Sequence, residues 1–339
     1  MLNKLKINHY SSTPIYKQIV HSIIRLVEEQ SLPSQTKLPS INEVSLKFDL
    51  GRGTVEKAYK ELKELNIIEA VHGKGYFSLG KQSKTVRKIF LLFNKLSAHK
   101  KIIYDSFVKE LGEDAFVDFF VYHNNVEMFR HIFEYAREDY TDYVIIPHFY
   151  SGEENALEII NALPREKLLI LDKKEKRIKG EYRAVYQNFE KDIHETLQQA
   201  RELLFDKYKN LKIVYPHNSY HPREILIGFQ NFIVEHLFPA KIVPDIETEE
   251  VQIGDAFITL AEDDLVTLVK RARRAGLKIG SEVGILSYND NPLKEILLDG
   301  ITVMSTDFEL MGRTAARMIL DGDRGQHENP FYLILRHSL

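Results

Sequence analysis

The chain has 339 residues, no cysteine and a net charge of −3, with 44% hydrophobic and 28% charged residues. That length supports two or three domains, each with its own core. The lack of cysteine excludes a disulfide framework, a thiolate nucleophile and cysteine-ligated zinc, and no run of about 18 apolar residues offers a membrane span or secretory signal. A soluble, cytoplasmic protein with no membrane contact is expected.

The charge is divided along the chain. Residues 1–88 hold 15 Lys and Arg against 8 Asp and Glu, whereas the remainder holds 31 against 41. A basic front on an acidic body suits a protein that meets a polyanion with one end, because phosphate neutralisation needs local rather than global charge.

The first predicted element is a helix over 14–29, with Tyr16, Ile19, Val20, Ile23 and Val27 on one face, Thr13 as cap and Pro14 in the first turn. Lys17 lies off that stripe, where a phosphate contact and an idle surface lysine are equally open readings. Pro39 and Ser40 then start a short helix with Ile41, Val44 and Phe48 at helical spacing. The turn Asp49-Leu50-Gly51 leads into a second helix over 52–65, with Val55, Ala58, Tyr59, Leu62 and Leu65 inward. Its exposed start presents Arg52, Gly53, Thr54 and Lys57: a guanidinium, a bare backbone, a hydroxyl and an ammonium. Residues 67–79 read as a hairpin whose tip is His72-Gly73-Lys74-Gly75. Two helices on one tight turn, followed by a basic-tipped wing, point to major-groove reading of double-stranded DNA. The candidate DNA contacts are Lys17, Ser40, Asn42, Arg52, Gly53, Thr54, Lys57, His72 and Lys74.

In LPSINEVS, GRGTVEKAYKEL and GKGYF this stretch resembles the GntR family of winged-helix repressors, and the Pro-Ile-Tyr-x-Gln-Ile opening of the first helix is frequent in one branch of it. Ile41-Asn42 stands where the family usually has Glu-Arg, and Gly51-Arg52-Gly53 where Ser-Arg-Thr or Ser-Arg-Asn is common.

Residues 80–88, GKQSKTVRK, have four cations and no apolar periodicity and read as a linker. Beyond them, apolar runs at 89–93, 116–121, 143–146, 168–171, 213–215, 256–260 and 283–286 alternate with helical stretches near 104–111, 127–136, 155–163, 192–204, 223–236, 265–275 and 309–320. This pattern predicts strands buried on both faces in parallel α/β sheets, arranged as two lobes. Segments 273–285, 287–291 and 301–312 resemble the effector domain of the lac repressor family, a periplasmic-binding-protein type I fold.

Ligands of open α/β sheets bind beyond the strand carboxyl ends. The residues there form a polar set with interleaved aromatics, which fits a polyol. The effector candidates are Asn94, His148, Asp172, Gln187, Asn188, Arg223, Glu262, Asn289 and Phe308. By position Asp172, Asn289 and Phe308 match ligand-contacting places of the resembling family, whereas Ile225 stands where that family has a clamping Arg and Arg223 lies nearby. The resemblance implies that the chain crosses between lobes near Gln187, which would set Asp172 and Arg223 on opposite sides of one ligand. His217 and His221 have helical metal-ligand spacing, but Pro222 makes the segment a loop, and no nucleophile elbow, phosphate loop or dinucleotide fingerprint follows a strand. No metal, cofactor or enzymatic activity is expected.

The expected architecture is α/β with an N-terminal winged helix-turn-helix: 1–79 as DNA-binding domain, 80–88 as linker, and 89–339 as an effector body of two Rossmann-like lobes. The expected function is a ligand-responsive regulator, a repressor, that binds a pseudo-palindromic operator as a homodimer under control of a sugar or sugar derivative. The alternative is a solute-binding module or sugar-modifying enzyme whose first domain serves assembly.

Overall fold

The computed structural model describes all residues except 9, 10, 12, 30, 81–86, 137–139 and 218. Most of the expected linker therefore lies outside the described residues. The described residues form two compact units, one of residues 1–92, 112–120 and 138–143, the other of 93–111, 121–137 and 144–339.

The first unit begins with α1 (Ile15–Glu28), α2 (Ile41–Phe48) and α3 (Arg52–Glu64), then the hairpin β1 (Ile68–Val71) and β2 (Gly75–Ser78). Ser40 starts α2 through a capping box: its hydroxyl accepts from the Glu43 N–H at 3.2 Å, and the Glu43 carboxylate accepts from the Ser40 N–H at 2.7 Å. The α2–α3 turn passes through Asp49 in the left-handed region, φ 52°. The strands pair antiparallel with Ile68 opposite Ser78 and Val71 opposite Gly75, and Gly73 and Gly75 supply the positive φ of the wing tip. Ile19, Ile23, Val44, Val55 and Leu62 form the core, with Tyr59 donating to the Pro39 carbonyl at 2.6 Å.

That core does not end with the winged helix. Phe116, on β4 (Ala115–Val121), belongs to it, its ring 4.2 Å from that of His21 on α1. Beside it the buried Asp118 carboxylate accepts from the Thr13 hydroxyl (3.2 Å), from the Tyr140 hydroxyl (3.0 Å) and from His21 Nδ1 (3.2 Å). Thr13 is therefore not the cap of α1. Its side chain serves Asp118 and the Phe119 N–H, and α1 starts from Pro14 with no side-chain cap. Strand β4 also departs from the expected burial on both faces. Phe116, Asp118 and Phe120 are covered while alternate residues are only half-buried, as suits the end position it takes in its sheet.

The rest of the chain alternates strand and helix: β3 (Arg87–Phe93), α4 (Ala98–Leu111), β4, α5 (Val126–Tyr135), β5 (Asp142–Ile145), α6 (Glu153–Ala162), β6 (Leu168–Lys173), β7 (Arg183–Gln187), α7 (Phe189–Lys207), β8 (Asn210–Val214), α8 (Glu224–His236) and β9 (Ala240–Val243). It continues with β10 (Asp255–Thr259), α9 (Glu262–Arg274), β11 (Gly284–Tyr288), α10 (Pro292–Ile296), β12 (Thr302–Thr306), α11 (Phe308–Asp321), β13 (Gln326–Glu328) and β14 (Phe331–Ile334). The strands build two six-stranded sheets, ordered β13-β7-β6-β5-β3-β4 and β14-β12-β11-β10-β8-β9. β10, β11 and β12 are buried along their whole length; β8, β10, β11 and β12 pair in parallel, and β14 joins β12 antiparallel.

Within the second unit the chain passes between the sheets three times, after β7, before α11 and after β13. Asn329 stitches these passages together. Its amide donates to Thr306 Oγ1 (2.7 Å) and to the Asp307 carbonyl (2.8 Å), and its N–H donates to the Tyr186 carbonyl (2.7 Å). After crossing back, α11 packs on α4 at Gly312, where an added Cβ would lie 2.0 Å from Ser106 Oγ and 2.4 Å from the Ile103 carbonyl. Strands β7, β9, β12, β13 and β14 fall outside the expected apolar runs; β9 exposes three of its four residues and β13 all three.

Removing the Asp118 carboxylate takes away the acceptor that the buried Thr13, His21 and Tyr140 side chains share. Asp118→Ala should lower stability by about 2–4 kcal/mol, read as a lower urea midpoint; an unchanged midpoint would mean that this cluster does not hold the first unit together.

Candidate effector cleft and DNA-reading face

On the winged helix, Asn42, Arg52, Gly53, Lys57, His72 and Lys74 are exposed and Thr54 is half-buried. Arg52 reaches Glu56 at 3.5 Å, an exposed helical pair worth only a few tenths of a kcal/mol, so the guanidinium is readily redirected. Lys57 Nζ lies 3.9 Å from the centroid of Tyr16, which steadies it on α1. Two candidates are already engaged: Lys17 pairs with Glu61 of α3 at 2.6 Å, and the Ser40 hydroxyl caps α2. Lys37, exposed and bridged through its backbone to Phe77 of the wing, adds a cation that helical spacing did not flag.

In the second unit one cleft of about 330 Å³ gathers the strand ends of both sheets. Asn94 and Lys95 follow β3, His148 follows β5, Asp172 is in the end of β6 and Gln187 ends β7. Glu262 starts α9 just past β10, Tyr288 and Asn289 end β11, and Phe308 opens α11. Every one of these positions is beyond or at a strand carboxyl end, where the sheet topology places a ligand.

Asp172 organises the floor. It is buried, with φ 73°, and its Oδ2 accepts from Lys100 Nζ at 2.5 Å and from His148 Nε2 at 2.9 Å, while Oδ1 accepts from the Gln187 amide. Burial alone would raise this carboxyl, but the Lys100 ammonium and the His148 hydrogen bond outweigh it and hold Asp172 well below the usual range. An ionised carboxylate only accepts, so His148 carries its proton on Nε2. Burial pushes His148 down despite the carboxylate, and pushes His99 and His221 down to about 3. At neutral pH the cleft thus holds neutral imidazoles around one internal ion pair.

The two sides are bonded across the cleft. Lys95 donates to the Tyr220 hydroxyl, and the Tyr288 hydroxyl donates to Gln187 Oε1 at 3.2 Å. The His99 ring stacks on Phe308 with centroids 4.9 Å apart, giving the cleft a flat, weakly polar wall. Asn94 donates to Asn124 at 2.7 Å, yet among the described residues its own buried amide oxygen has no partner, and neither has that of Asn289.

Seven of the nine effector candidates therefore come together: Asn94, His148, Asp172, Gln187, Glu262, Asn289 and Phe308. Asn188 and Arg223 do not. Asn188, directly after β7, turns its amide to Glu328 at 3.2 Å. Arg223 stands exposed at the N-cap of α8 and lines a neighbouring cavity, so it cannot share a clamp with Asp172, whose oxygens are moreover all used by protein donors. Lys95 and Tyr220 stand among the strand-end positions that the sequence marks for a ligand, though outside the nine effector candidates, whereas His99, Lys100 and Tyr288 do not. The signal available for Tyr288 was position, since it adjoins Asn289.

Comparison with known proteins agrees with both halves. Residues 15–77 match the model of bacterial regulatory proteins, gntR family, and residues 200–339 that of the periplasmic binding protein-like domain. The chain is 34% identical over 104 residues to the uncharacterized HTH-type transcriptional regulator YhcF of Bacillus subtilis (strain 168), covering 30% of this chain and 79% of that protein. It is 37% identical over 81 residues to the HTH-type transcriptional repressor YtrA of the same organism, covering 24% of this chain and 62% of YtrA, less than two thirds of its length. In fold it is similar to the Lac repressor bound to ONPG in the repressed state, with TM-score 0.63 at 16% identity over 98% of this chain and 100% of that one. It is also similar to a LacI family transcriptional regulator from Enterococcus faecium with bound ribose, with TM-score 0.58 at 14% identity over 74% and 98%. The fold and these likenesses define a transcription regulator with a helix-turn-helix DNA-binding domain ahead of a periplasmic-binding-protein-like α/β domain of two lobes. The chain belongs to the GntR family of bacterial regulatory proteins.

The depressed histidines set a pH dependence. The ordinary value is 6.5 and the folded value of His99 and of His221 is about 3, so between those limits the unfolded chain binds more protons. Stability should therefore fall as pH drops below about 6.5, by less than the ceiling of about 1.4 kcal/mol per pH unit for each histidine. The Asp172 contribution is lost only at lower pH, through its depressed folded value. Melting temperatures at pH 7 and pH 5 check this: His221→Gln should narrow the gap, and an equal gap in both proteins would remove His221 from the account.

Proposed function

We propose that the protein is a ligand-responsive repressor that binds a pseudo-palindromic operator as a homodimer and is controlled by a sugar or sugar derivative held in the cleft. The observation behind this reading is one polar cleft at the strand ends of both lobes, in a chain whose winged helix leaves the start of α3 exposed. The chemistry supports a polyol. Asn94 and Asn289, one from each side, have a buried amide oxygen without a donor among the described residues, which ligand hydroxyls supply, and the His99–Phe308 stack offers a surface for the less polar face of a sugar ring. With Asp172 neutralised by Lys100, the ligand needs no charge of its own. Binding to both sides at once favours the arrangement in which they approach, and differential affinity of that kind is what shifts a regulator between states.

A dimer is favoured by operator geometry, since one recognition helix reads too few base pairs and two-fold proteins match two-fold sites. It is favoured also by unpartnered apolar surface in the second unit, where Val234 is 73% and Leu237 87% exposed. Equilibrium sedimentation of the full chain at micromolar concentration checks this; a monomer would overturn it.

The DNA reading predicts a contrast between two neighbours. Arg52→Ala should cost about 1–3 kcal/mol on a site selected from random DNA and relax preference at one position. Gly53→Ala should stabilise the free protein by about 0.5–1 kcal/mol, because an added Cβ meets nothing within 4 Å, yet weaken DNA binding if the helix backbone lies against the groove. Unchanged affinity in both variants, measured by fluorescence anisotropy, would mean that α3 does not read DNA.

For the effector, thermal denaturation with a panel of sugars should identify one that raises the melting temperature of the wild type and has a much smaller effect on Asn289→Ala. Equal stabilisation of both proteins would place the ligand elsewhere. Stabilisation only by another class of metabolite would end the sugar reading.

A further inference from the structure

Next to the effector cleft, and sharing Tyr220, His221 and Pro222 with it, lies a second cavity of about 530 Å³. One wall is the loop 173–177, Lys-Lys-Glu-Lys-Arg, leading out of β6; the other is the segment 219–224 that leads into α8. Five cations and three carboxylates line it. Two of those carboxylates are already spent within the wall. Glu153 accepts from Lys173 at 3.2 Å and from Arg177 at 2.5 Å, and Glu175 accepts from the Arg177 guanidinium at 2.8 and 2.9 Å and from its N–H at 3.0 Å. These bonds brace the loop and cancel charge two for two. What remains is Lys174, Lys176 and Arg223 facing the single carboxylate Glu224. Among the described residues, the side chains of Lys176 and Arg223 have neither a hydrogen bond nor an ion pair, and that of Lys174 has only the ring of Tyr186, 4.9 Å from its Nζ.

Surface cations usually scatter or pair. Here three unpaired ones converge on one concave space from two segments, and the first turn of α8 adds the positive end of a 13-residue helix to the same wall. We propose that this cavity is a phosphate-binding site, separate from the polyol cleft, that takes a dianionic phosphate group, with Arg223 as the bidentate ligand and Lys174 and Lys176 as point charges. A dianion matches the charge left over in the cavity, and a planar guanidinium paired with ammonium groups is the combination that recognises phosphate. The shared segment gives the site a consequence: phosphate fixed on Arg223 orders the residues that also form the wall of the cleft at Tyr220 and His221. The proposal does not depend on the sugar reading, because none of Lys174, Lys176 and Arg223 lines the cleft.

The test is calorimetric titration of the full chain with inorganic phosphate and, in parallel, with glucose 6-phosphate, at constant ionic strength set by potassium chloride. Wild type, the double variant Lys176→Gln/Arg223→Gln, Asn289→Ala and Arg52→Ala are compared. Both substituted side chains of the double variant are free of partners among the described residues, so its melting temperature should match that of the wild type. Saturable phosphate binding that weakens at least tenfold in the double variant, and is retained in Asn289→Ala and Arg52→Ala, is the expected result. Tighter binding of glucose 6-phosphate than of phosphate assigns the site to a phosphorylated metabolite, and equal binding assigns it to free phosphate. Saturable binding that survives in the double variant, binding lost in Arg52→Ala instead, or no saturable binding in the wild type overturns the proposal. Loss of sugar response in Asn289→Ala with phosphate binding intact separates this site from the cleft.

Discussion

The buried Asp172 carboxylate, held by Lys100, His148 and Gln187, is the constraint around which the effector half is arranged. A charge taken out of water is tolerable only when its lone pairs are met, and breaking such a pair costs several kcal/mol. The three donors come from the start of α4, from the residues after β5 and from the end of β7, so meeting them fixes three strand ends in relation to β6. Gln187 then passes the constraint across the cleft by accepting from Tyr288. One consequence is chemical. With Asp172 satisfied internally, the cleft shows a ligand mostly neutral donors and acceptors with a stacked ring pair, which is selective by hydrogen-bond pattern rather than by charge.

A second consequence concerns motion. The three passages between sheets meet at Asn329, whose side chain and N–H tie Thr306, Asp307 and Tyr186 together. The two lobes are thus joined through a seam of a few residues, the kind of connection on which hinges are built. The cross-cleft bond Lys95–Tyr220 lies away from that seam, whereas Gln187–Tyr288 sits beside it, next to Tyr186. In the first unit the same physics acts differently. Asp118 meets its donors by drawing Thr13 and His21 onto β4, and Phe116 completes the apolar contact, so the winged helix there shares a core with a strand beyond its own wing.

Two glycines show how packing and function are told apart. Gly312 is required by the fold, because any side chain would strike Ser106 and the Ile103 carbonyl and separate α11 from α4. Gly53 is not required, since it has an ordinary helical backbone and open space around it, and it weakens its helix by up to about 1 kcal/mol relative to alanine. On the proposed DNA reading, its place at the start of α3 leaves the helix backbone bare toward the groove.

The sequence by itself determined the local structure and the class of the protein. The Ser40–Glu43 capping box, the apolar stripes of α1 to α3, the glycines of the wing and the near-continuous apolar runs of β10 and β11 are short-range patterns, and period and capping chemistry report them directly. They sufficed for a winged helix ahead of a two-lobed α/β body. Tertiary structure alone decided which strand-end residues share a space and which partners consume them. Asp172 looked like a free ligand group until Lys100, 72 residues earlier, was found on its oxygen, and Arg223 looked like the second jaw of the same clamp until its helix turned it into the neighbouring cavity. Strands β13 and β14 lie outside the apolar runs because β13 is exposed and each becomes a strand through a partner further back in the chain, β7 for β13 and β12 for β14. Thr13 had the composition of a cap and took another role because a buried carboxylate more than 100 residues away needed a donor more than the helix did. Burial and long-range pairing set these outcomes, and neither is a property of a short window of sequence.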